Sequence, residues 1–309
     1  MITHVAISDL AKIKRPLSLA LGVFDGIHRG HQEVLLRSKE RAKASGGLAG
    51  MVTFEPHPIQ VLAPERAPRR LLASLEHKAA LLDELGIELL VVVKFDHDFA
   101  AQTAERFLEK LRAAPHLHSL SVGADWRFGK NRQGDARFLE KFGKEQGIAI
   151  DVVSPVMVDG DRISSTRVRQ ALSDGNVEAA EEMLGRPYSI IGRVEKGQQM
   201  GRKLGFATAN LRPGREQLPP TGVWIVEARQ EGGDWLPAVA NLGRRPTVEG
   251  ESESPLLLEV HVLDWTGDLY GKGLEVSFLA FLRKEEKFAN LDALKGRIGR
   301  DVEEARRFF

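Results

Sequence analysis

The chain has 309 residues, 42% of them hydrophobic and 28% charged, which is enough for two soluble domains with sizeable cores. The formal net charge is +1 and balanced on both sides of Leu184, which argues against wholesale nucleic-acid binding by charge, and clusters such as Arg66, Arg69 and Arg70 read as solvated faces. No apolar run reaches the roughly 18 residues of a membrane span, the N-terminus lacks the pattern of a signal peptide, and the absence of cysteine removes disulfides and thiolate chemistry and fits a reducing cytoplasm.

In chain order, "LSLALGVF" is a continuous apolar strand and "HQEVLLRSKERAKAS" a helix stopped by Gly46-Gly47. "GLAGMVTF" is the next strand. "SLEHKAALLDELG" is a helix with Ser74 as N-cap and Gly86 as C-cap. "ELLVVVKF", "TAERFLEKLRAA", "HSLSVGA", "DARFLEKFGKEQG" and "IAIDVVSP" continue the alternation of strand and helix. Strands without internal alternation, separated by helices, predict a parallel sheet covered on both faces. After Gly185, Arg186 and Pro187 the pattern changes to short alternating stretches: "YSIIGRVEKG", "GVWIVEARQEGGDWLPAVANLG", "PLLLEVHVLDW" and "GLEVSFLAFLR". These predict an antiparallel barrel or sandwich, closed by an amphipathic helix over "NLDALKGRIGRDVEEARRFF". The expected division is 1–184 and 185–309.

Within "GVFDGIHRGHQ" (22–32), three readings compete for His28 and His31. They could ligate a metal, but no third soft ligand is near and Gly30 would loosen a helical pair. They could be ordinary turn histidines. Or the stretch could be a phosphate-binding junction. In that case Gly22 and Gly26 allow close approach and a sharp turn, and a helix beginning near Gly30 points free N–H groups at an anion. Two imidazole donors would then offset charge on a transferring phosphate. "ISSTRVR" (163–169) offers Ser164, Ser165 and Thr166 as helix caps and Arg169 one turn in.

Together these stretches resemble the H-x-G-H and serine/threonine-rich signatures of the nucleotidylyltransferase superfamily. "VTFEPHP", "KFDHDFAAQTAERFLEKL" and "VGADWRFGKNRQGD" resemble, more narrowly, the adenylyltransferase half of bacterial bifunctional riboflavin kinase/FAD synthetases. The resemblance implies a Rossmann-like α/β domain in which His28, His31 and Arg169 act on ATP. Gly22, Phe24, Asp25, Gly30, Ser164, Ser165 and Thr166 would line the ATP site. Phe54, Asp125, Arg127 and Phe128 would lie near the flavin, with Trp126 where the family usually has phenylalanine. An aromatic and an arginine suit an isoalloxazine edge and a phosphate, while Trp126 and Phe128 taken singly could equally be core.

In the second domain, "EKGQQMGRKLGFATANL" spaces Gly197, Gly201 and Gly205 four apart before Thr208 and Asn210. It resembles the riboflavin kinase motif ending in Pro-Thr-Ala-Asn, with Ala207 in place of the proline. "VANLGRRPTV", "LEVHVLDWTGDLYG" and "FLRKEEKF" extend the likeness. By resemblance Thr208 and Asn210 hold Mg²⁺, Asn210 and the glycines meet ATP, and Glu259 is the general base. From pattern alone, Glu259 is either a carboxylate facing a barrel interior, costly without a partner, or a surface strand residue. The implied function is phosphorylation of riboflavin to FMN and adenylylation of FMN to FAD, with ATP as co-substrate of both. Ala207 motivates a second reading, an adenylyltransferase whose barrel binds flavin without kinase activity. No nucleic-acid or membrane partner is expected, and oligomeric state is left open.

Overall fold

The computed structural model describes residues 2–196, 205–244 and 256–309, and contacts divide them into two compact units. Unit 1 comprises the residues up to Leu71 together with Leu75–Ser165, and unit 2 comprises Leu72–Ser74 and Thr166–Phe309.

Unit 1 runs β1 (Thr3–Val5), β2 (Leu17–Leu21), α1 (Arg29–Ser45), β3 (Leu48–Glu55), α2 (Pro58–Leu62), α3 (Leu75–Leu85), β4 (Leu89–Lys94), α4 (His97–Ala100), α5 (Ala104–Arg112), β5 (Leu117–Gly123), α6 (Ala136–Gln146) and β6 (Ala149–Val153). A short hairpin of β7 (Met157–Val158) and β8 (Asp161–Arg162) follows, then α7 (Ser165–Ser173), which spans the division. Gly46 ends α1 in the left-handed conformation, as the sequence predicts; Gly147 does the same for α6, and the Thr103 and Asp135 side chains cap α5 and α6.

Six parallel strands form one sheet in the order β1-β4-β3-β2-β5-β6. The apolar runs conceal a period of two. Leu17, Leu19, Leu21, Val52 and Val91 meet Phe107, Leu108 and Leu139 on one side. Ala20, Met51 and Leu90 meet Val34, Leu35, Leu81 and Leu82 on the other. Both faces are therefore buried, which removes the polar alternation of a half-exposed sheet. The chain winds outward from β2 through β3 and β4, then returns to β5 on the opposite side of β2. Ligands bind at the carboxyl ends of strands where such an order reverses. "GVFDGIHRGH" leaves β2 at that point.

Unit 2 contains α8 (Val177–Leu184) and a closed antiparallel barrel of β9 (Tyr188–Glu195), β10 (Ala209–Leu211), β11 (Gly222–Gln230), β12 (Leu236–Arg244), β13 (Leu256–Val262) and β14 (Gly273–Arg283), in the order β10-β13-β12-β11-β14-β9. The composition change at Gly185 marks the start of the barrel strands, while the packing division falls earlier because most of α7 and all of α8 pack within unit 2. The terminal helix is α9 (Leu291–Phe308), capped by Asn290. Its Val302 and Ala305 pack on Val223, Ile225, Val239 and Leu263, the outer face of the barrel. Arg283 grips Asp301 of α9 through bonds of 2.6–3.1 Å, and Asp301 is 2% exposed.

Candidate functional sites

The first site begins at the end of β2. Phe24 (φ 51°), Gly26 (φ 84°) and Ile27 (φ 42°) all lie in the left-handed region, so the turn doubles back sharply before α1. Gly26 is the residue type that adopts this without steric cost. His28 then serves as the N-cap of α1: its Nδ1 accepts a hydrogen bond from the His31 backbone N–H at 3.3 Å. With Nδ1 an acceptor, the His28 proton resides on Nε2, which can donate. The two rings stack with centroids 3.6 Å apart and planes 15° from parallel, and Phe24 meets His31 edge-on at 5.3 Å. A Cβ on Gly30 would lie 3.3 Å from His28 Cε1, so glycine there leaves the stack its room. Gly22 is packed the same way, since a Cβ would meet the Phe24 ring at 3.0 Å.

Burial, helped by the neighbouring His28, Lys78 and Arg162, holds the His31 imidazole well below its ordinary pKa, so it is neutral at pH 7. Its Nδ1 is sealed from solvent without a protein partner among the described residues. Asp25 is 2% exposed, and its backbone carbonyl accepts a 2.9 Å hydrogen bond from the Ser165 hydroxyl. That contact joins two stretches 140 residues apart in sequence. Ser164 is half-buried directly before α7, Thr166 is exposed, and Arg169 is half-buried one turn into the helix. Thr166 and Arg169 belong to unit 2.

The residues expected near a flavin divide into two kinds. Phe54 (6% exposed) and Phe128 (7% exposed) are core side chains within a cluster that includes Phe95, Phe99 and Phe107. Trp126 is half-buried and stacks on Phe128 at 4.4 Å. Arg127 is exposed and donates to the Trp126 carbonyl, while Asp125 pairs with Arg162 of β8 at 2.5 Å. Two further residues bear on the turn that no sequence signal singles out. Thr53 Oγ1 donates to the Val23 carbonyl at 2.8 Å, and Lys78 Nζ donates to the same oxygen at 3.1 Å. No residue pattern distinguishes Lys78 from the other charges of an amphipathic helix.

In unit 2, register aligns a row of polar side chains. Glu259 of β13 lies opposite Asn210 of β10 on one side and Asn241 of β12 on the other. Residues directly paired across antiparallel strands share a face. Leu258, Val260 and Val262 are buried on the other face, toward Leu211, Ala209 and Ala240 inside the barrel. Of the two placements left open by the pattern, the register selects the second: Glu259 lies on the outer face, half-buried, alongside the surface covered by α9. Asn210 is 5% exposed, and its Oδ1 is sealed without a protein partner among the described residues. Thr208 is half-buried just ahead of β10. Before it, Ala207 offers its carbonyl to His261 Nδ1 at 2.8 Å, and Phe206 meets the His261 ring edge-on at 5.5 Å. Gly205 is exposed with φ 95°, and Gly197 and Gly201 lie outside the described residues. A buried amide oxygen, a hydroxyl and a carboxylate form a hard-oxygen donor set that fits Mg²⁺. Among the described residues no three His, Asp or Glu side chains cluster as a metal site.

An α/β sheet with an H-x-G-H turn at its switch point, followed by a six-stranded barrel bearing one carboxylate between two amides, fits a nucleotidyltransferase joined to a phosphotransferase. Comparison with known proteins agrees. The FAD synthetase family matches residues 10–167 and the riboflavin kinase family matches 184–309. The chain is 43% identical over 293 residues to the bifunctional riboflavin kinase/FMN adenylyltransferase of Escherichia coli K12, covering 94% of this chain and 92% of the relative. It is 42% identical over 287 residues to that of Pseudomonas fluorescens (93% and 91%), and 33% identical over 293 residues to that of Bacillus subtilis (94% and 92%). A solved structure of a protein named macrolide-efflux protein from Streptococcus pneumoniae superposes with a TM-score of 0.83 at 30% identity, covering 99% of both chains. Among the described residues of the present chain, no helix is long and apolar enough to cross a membrane. The chain belongs to the bifunctional riboflavin kinase/FMN adenylyltransferase family. The riboflavin kinase match over the barrel does not favour the reading in which that domain binds flavin without kinase activity.

Proposed function

We propose that the two activities of the family are divided between the two sites. The barrel phosphorylates riboflavin with ATP, and the histidine turn joins the resulting FMN to AMP from a second ATP. In the second reaction an FMN phosphate oxygen attacks the α-phosphorus of ATP, a P–O bond forms, and the bond to the departing pyrophosphate breaks. The substrates react directly, so no protein nucleophile is needed. The chain supplies position and electrostatics. His28 donates from Nε2 toward the phosphate, neutral His31 stands behind it on the stacked ring, and the positive end of the α1 dipole favours the anion. Gly22, Phe24, Asp25, Gly30, Ser164 and Ser165 shape the ATP cradle, and the family resemblance assigns Thr166 to ATP and Arg169 to the triphosphate charge. Phe54 and Phe128 support a flavin wall from below, with Trp126 as its half-exposed ring and Asp125 and Arg127 at its polar edge. The observation that carries this reading is the Ser165–Asp25 hydrogen bond, which brings the serine-rich stretch onto the histidine turn.

For the kinase reaction, Glu259 accepts the proton of the riboflavin 5′-hydroxyl as its oxygen attacks the γ-phosphorus of ATP, and ADP leaves. Thr208 and Asn210 would hold Mg²⁺, which neutralises phosphate charge when bound. Asn210 and the glycines at 197, 201 and 205 would meet the nucleotide. A cysteine-free chain suits a cytoplasmic setting for both reactions. Incubating the protein with ATP, Mg²⁺ and either riboflavin or FMN, then separating the flavins by chromatography, tests the assignment. FMN and FAD should form from riboflavin, and FAD alone from FMN. Failure to convert riboflavin under conditions that convert FMN would overturn the kinase half.

A further inference from the structure

Lys78 is 3% exposed, an unusual position for a lysine. It projects from α3, and its Nζ donates to the carbonyl of Val23, the residue immediately before the left-handed Phe24. Thr53 of β3 donates to the same oxygen. Two donors from two separate elements therefore converge on one backbone carbonyl, at the root of the turn that carries His28. A purely structural brace would be met by the threonine alone or by a neutral side chain; a buried ammonium is costly unless its charge is used. The acidic groups within electrostatic reach of Lys78 are Asp25 in the turn and Glu55 at the end of β3, which favour its charge while burial opposes it. The charged or titratable groups that bear on His31 are His28 at the N-cap, Lys78 from α3 and Arg162 from β8.

We propose that Lys78 is a positioning residue for adenylyl transfer: it holds the strand-to-helix turn through the Val23 carbonyl and supplies a fixed positive charge within reach of His31. The charge opposes a second proton on His31, so the ring stacked on His28 stays neutral rather than adding a repelling cation. Thr53 shares the bracing role and not the electrostatic one. This inference rests on the assignment of the His28/His31 turn to FAD formation, and its test separates the two.

The test uses the full chain with Lys78→Met, Lys78→Arg and Thr53→Val. Circular dichroism and the dispersed amide resonances of unit 1 report that each variant is folded, and FMN formation from riboflavin reports that the other unit is intact. Lys78→Met should lower the rate of FAD formation at least tenfold and move the acid limb of its pH profile upward by half a unit or more. Lys78→Arg should keep the limb in place. Thr53→Val should slow the reaction without moving it. The His31 ring resonance, assigned by its loss in His31→Asn, should titrate at higher pH in Lys78→Met, a reading that needs no activity. An unmoved limb and an unmoved titration in Lys78→Met would overturn the proposal even if the rate fell, because a brace alone would slow the enzyme in that way. An unchanged rate would also overturn it. Retention of FAD formation in His28→Ala and His31→Ala would instead remove the assignment on which the inference rests.

Discussion

His28 and His31 lie ring on ring, centroids 3.6 Å apart, with His28 Nδ1 accepting the His31 backbone N–H. The contact consumes one nitrogen of His28 and leaves Nε2 as its donor. His28→Ala removes that donor and the cap of α1 together, and His31→Ala removes the ring behind it. Each should reduce FAD formation by about a hundredfold or more, the effect of losing a preorganised donor to a developing charge. FMN formation from riboflavin should survive in both. Separate assays with FMN and with riboflavin distinguish the outcomes, and loss of both activities in a folded variant would contradict the division of labour.

Glu259 gives the mirror result. Glu259→Gln keeps the size of the side chain opposite Asn210 and Asn241 while removing its basicity. FMN formation should fall by about a hundredfold or more, within the range of general-base effects, while supplied FMN is still converted to FAD. Thermal melting should change little, because Glu259 is half-buried on an outer face and leaves no cavity inside the barrel.

The His261–Ala207 contact should matter for aim rather than for folding. The ring N–H holds the carbonyl just before Thr208. His261→Phe keeps the edge contact with Phe206 and loses the bond, and should lower kinase kcat about tenfold through misplacement of Thr208. Ala207→Pro, which restricts φ at that residue, should recover part of the loss in the double variant. Steady-state kinetics with riboflavin would show it; equal losses in the single and double variants would refute it.

The lowered pKa of His31 has a stability consequence. In the unfolded chain an imidazole titrates at about 6.5, and in the fold it does so lower. Below that pH the unfolded chain therefore binds the extra proton, so the stabilising effect of a neutral His31 is complete above it and is lost as pH falls toward the folded pKa. Within that window the slope is up to about 1.4 kcal/mol per pH unit for this one group. Melting curves at pH 7.5 and 5.5 should differ less in His31→Gln than in the parent chain.

Asp301 makes the sharpest stability prediction. It accepts three bonds from Arg283, lies 3.2 Å from Arg297, and is 2% exposed. Asp301→Ala leaves two arginines facing a site without their counter-charge, at a cost of about 3–5 kcal/mol. The transition of the barrel unit should move to lower denaturant concentration while FAD formation from FMN is retained.

Much of this architecture follows from local chemistry. Gly46, Gly86, Gly147 and Gly185 close four helices whose apolar faces repeat with helical spacing, and the capping residues Thr103, Asp135 and Asn290 open three more ends. Such signals are short-range, so they survive without knowledge of the fold. β10 and β1 leave no such trace, because three residues carry no periodicity. The alternation along β13 separates Glu259 from its neighbours Leu258 and Val260 without saying which side is interior, since Val223 and Ile225 on the outer face are buried almost as fully as Trp224 within.

Neighbouring residues alone are enough to specify the two fold classes, the helix limits and the two histidines worth watching, because each of these is written over a few consecutive positions. The fold had to form before Ser165 could reach Asp25, before Asn210, Glu259 and Asn241 could make one row, and before Lys78 could turn inward to Val23. Those relationships depend on strand order and register, which bring together residues far apart in the chain and which no local pattern encodes.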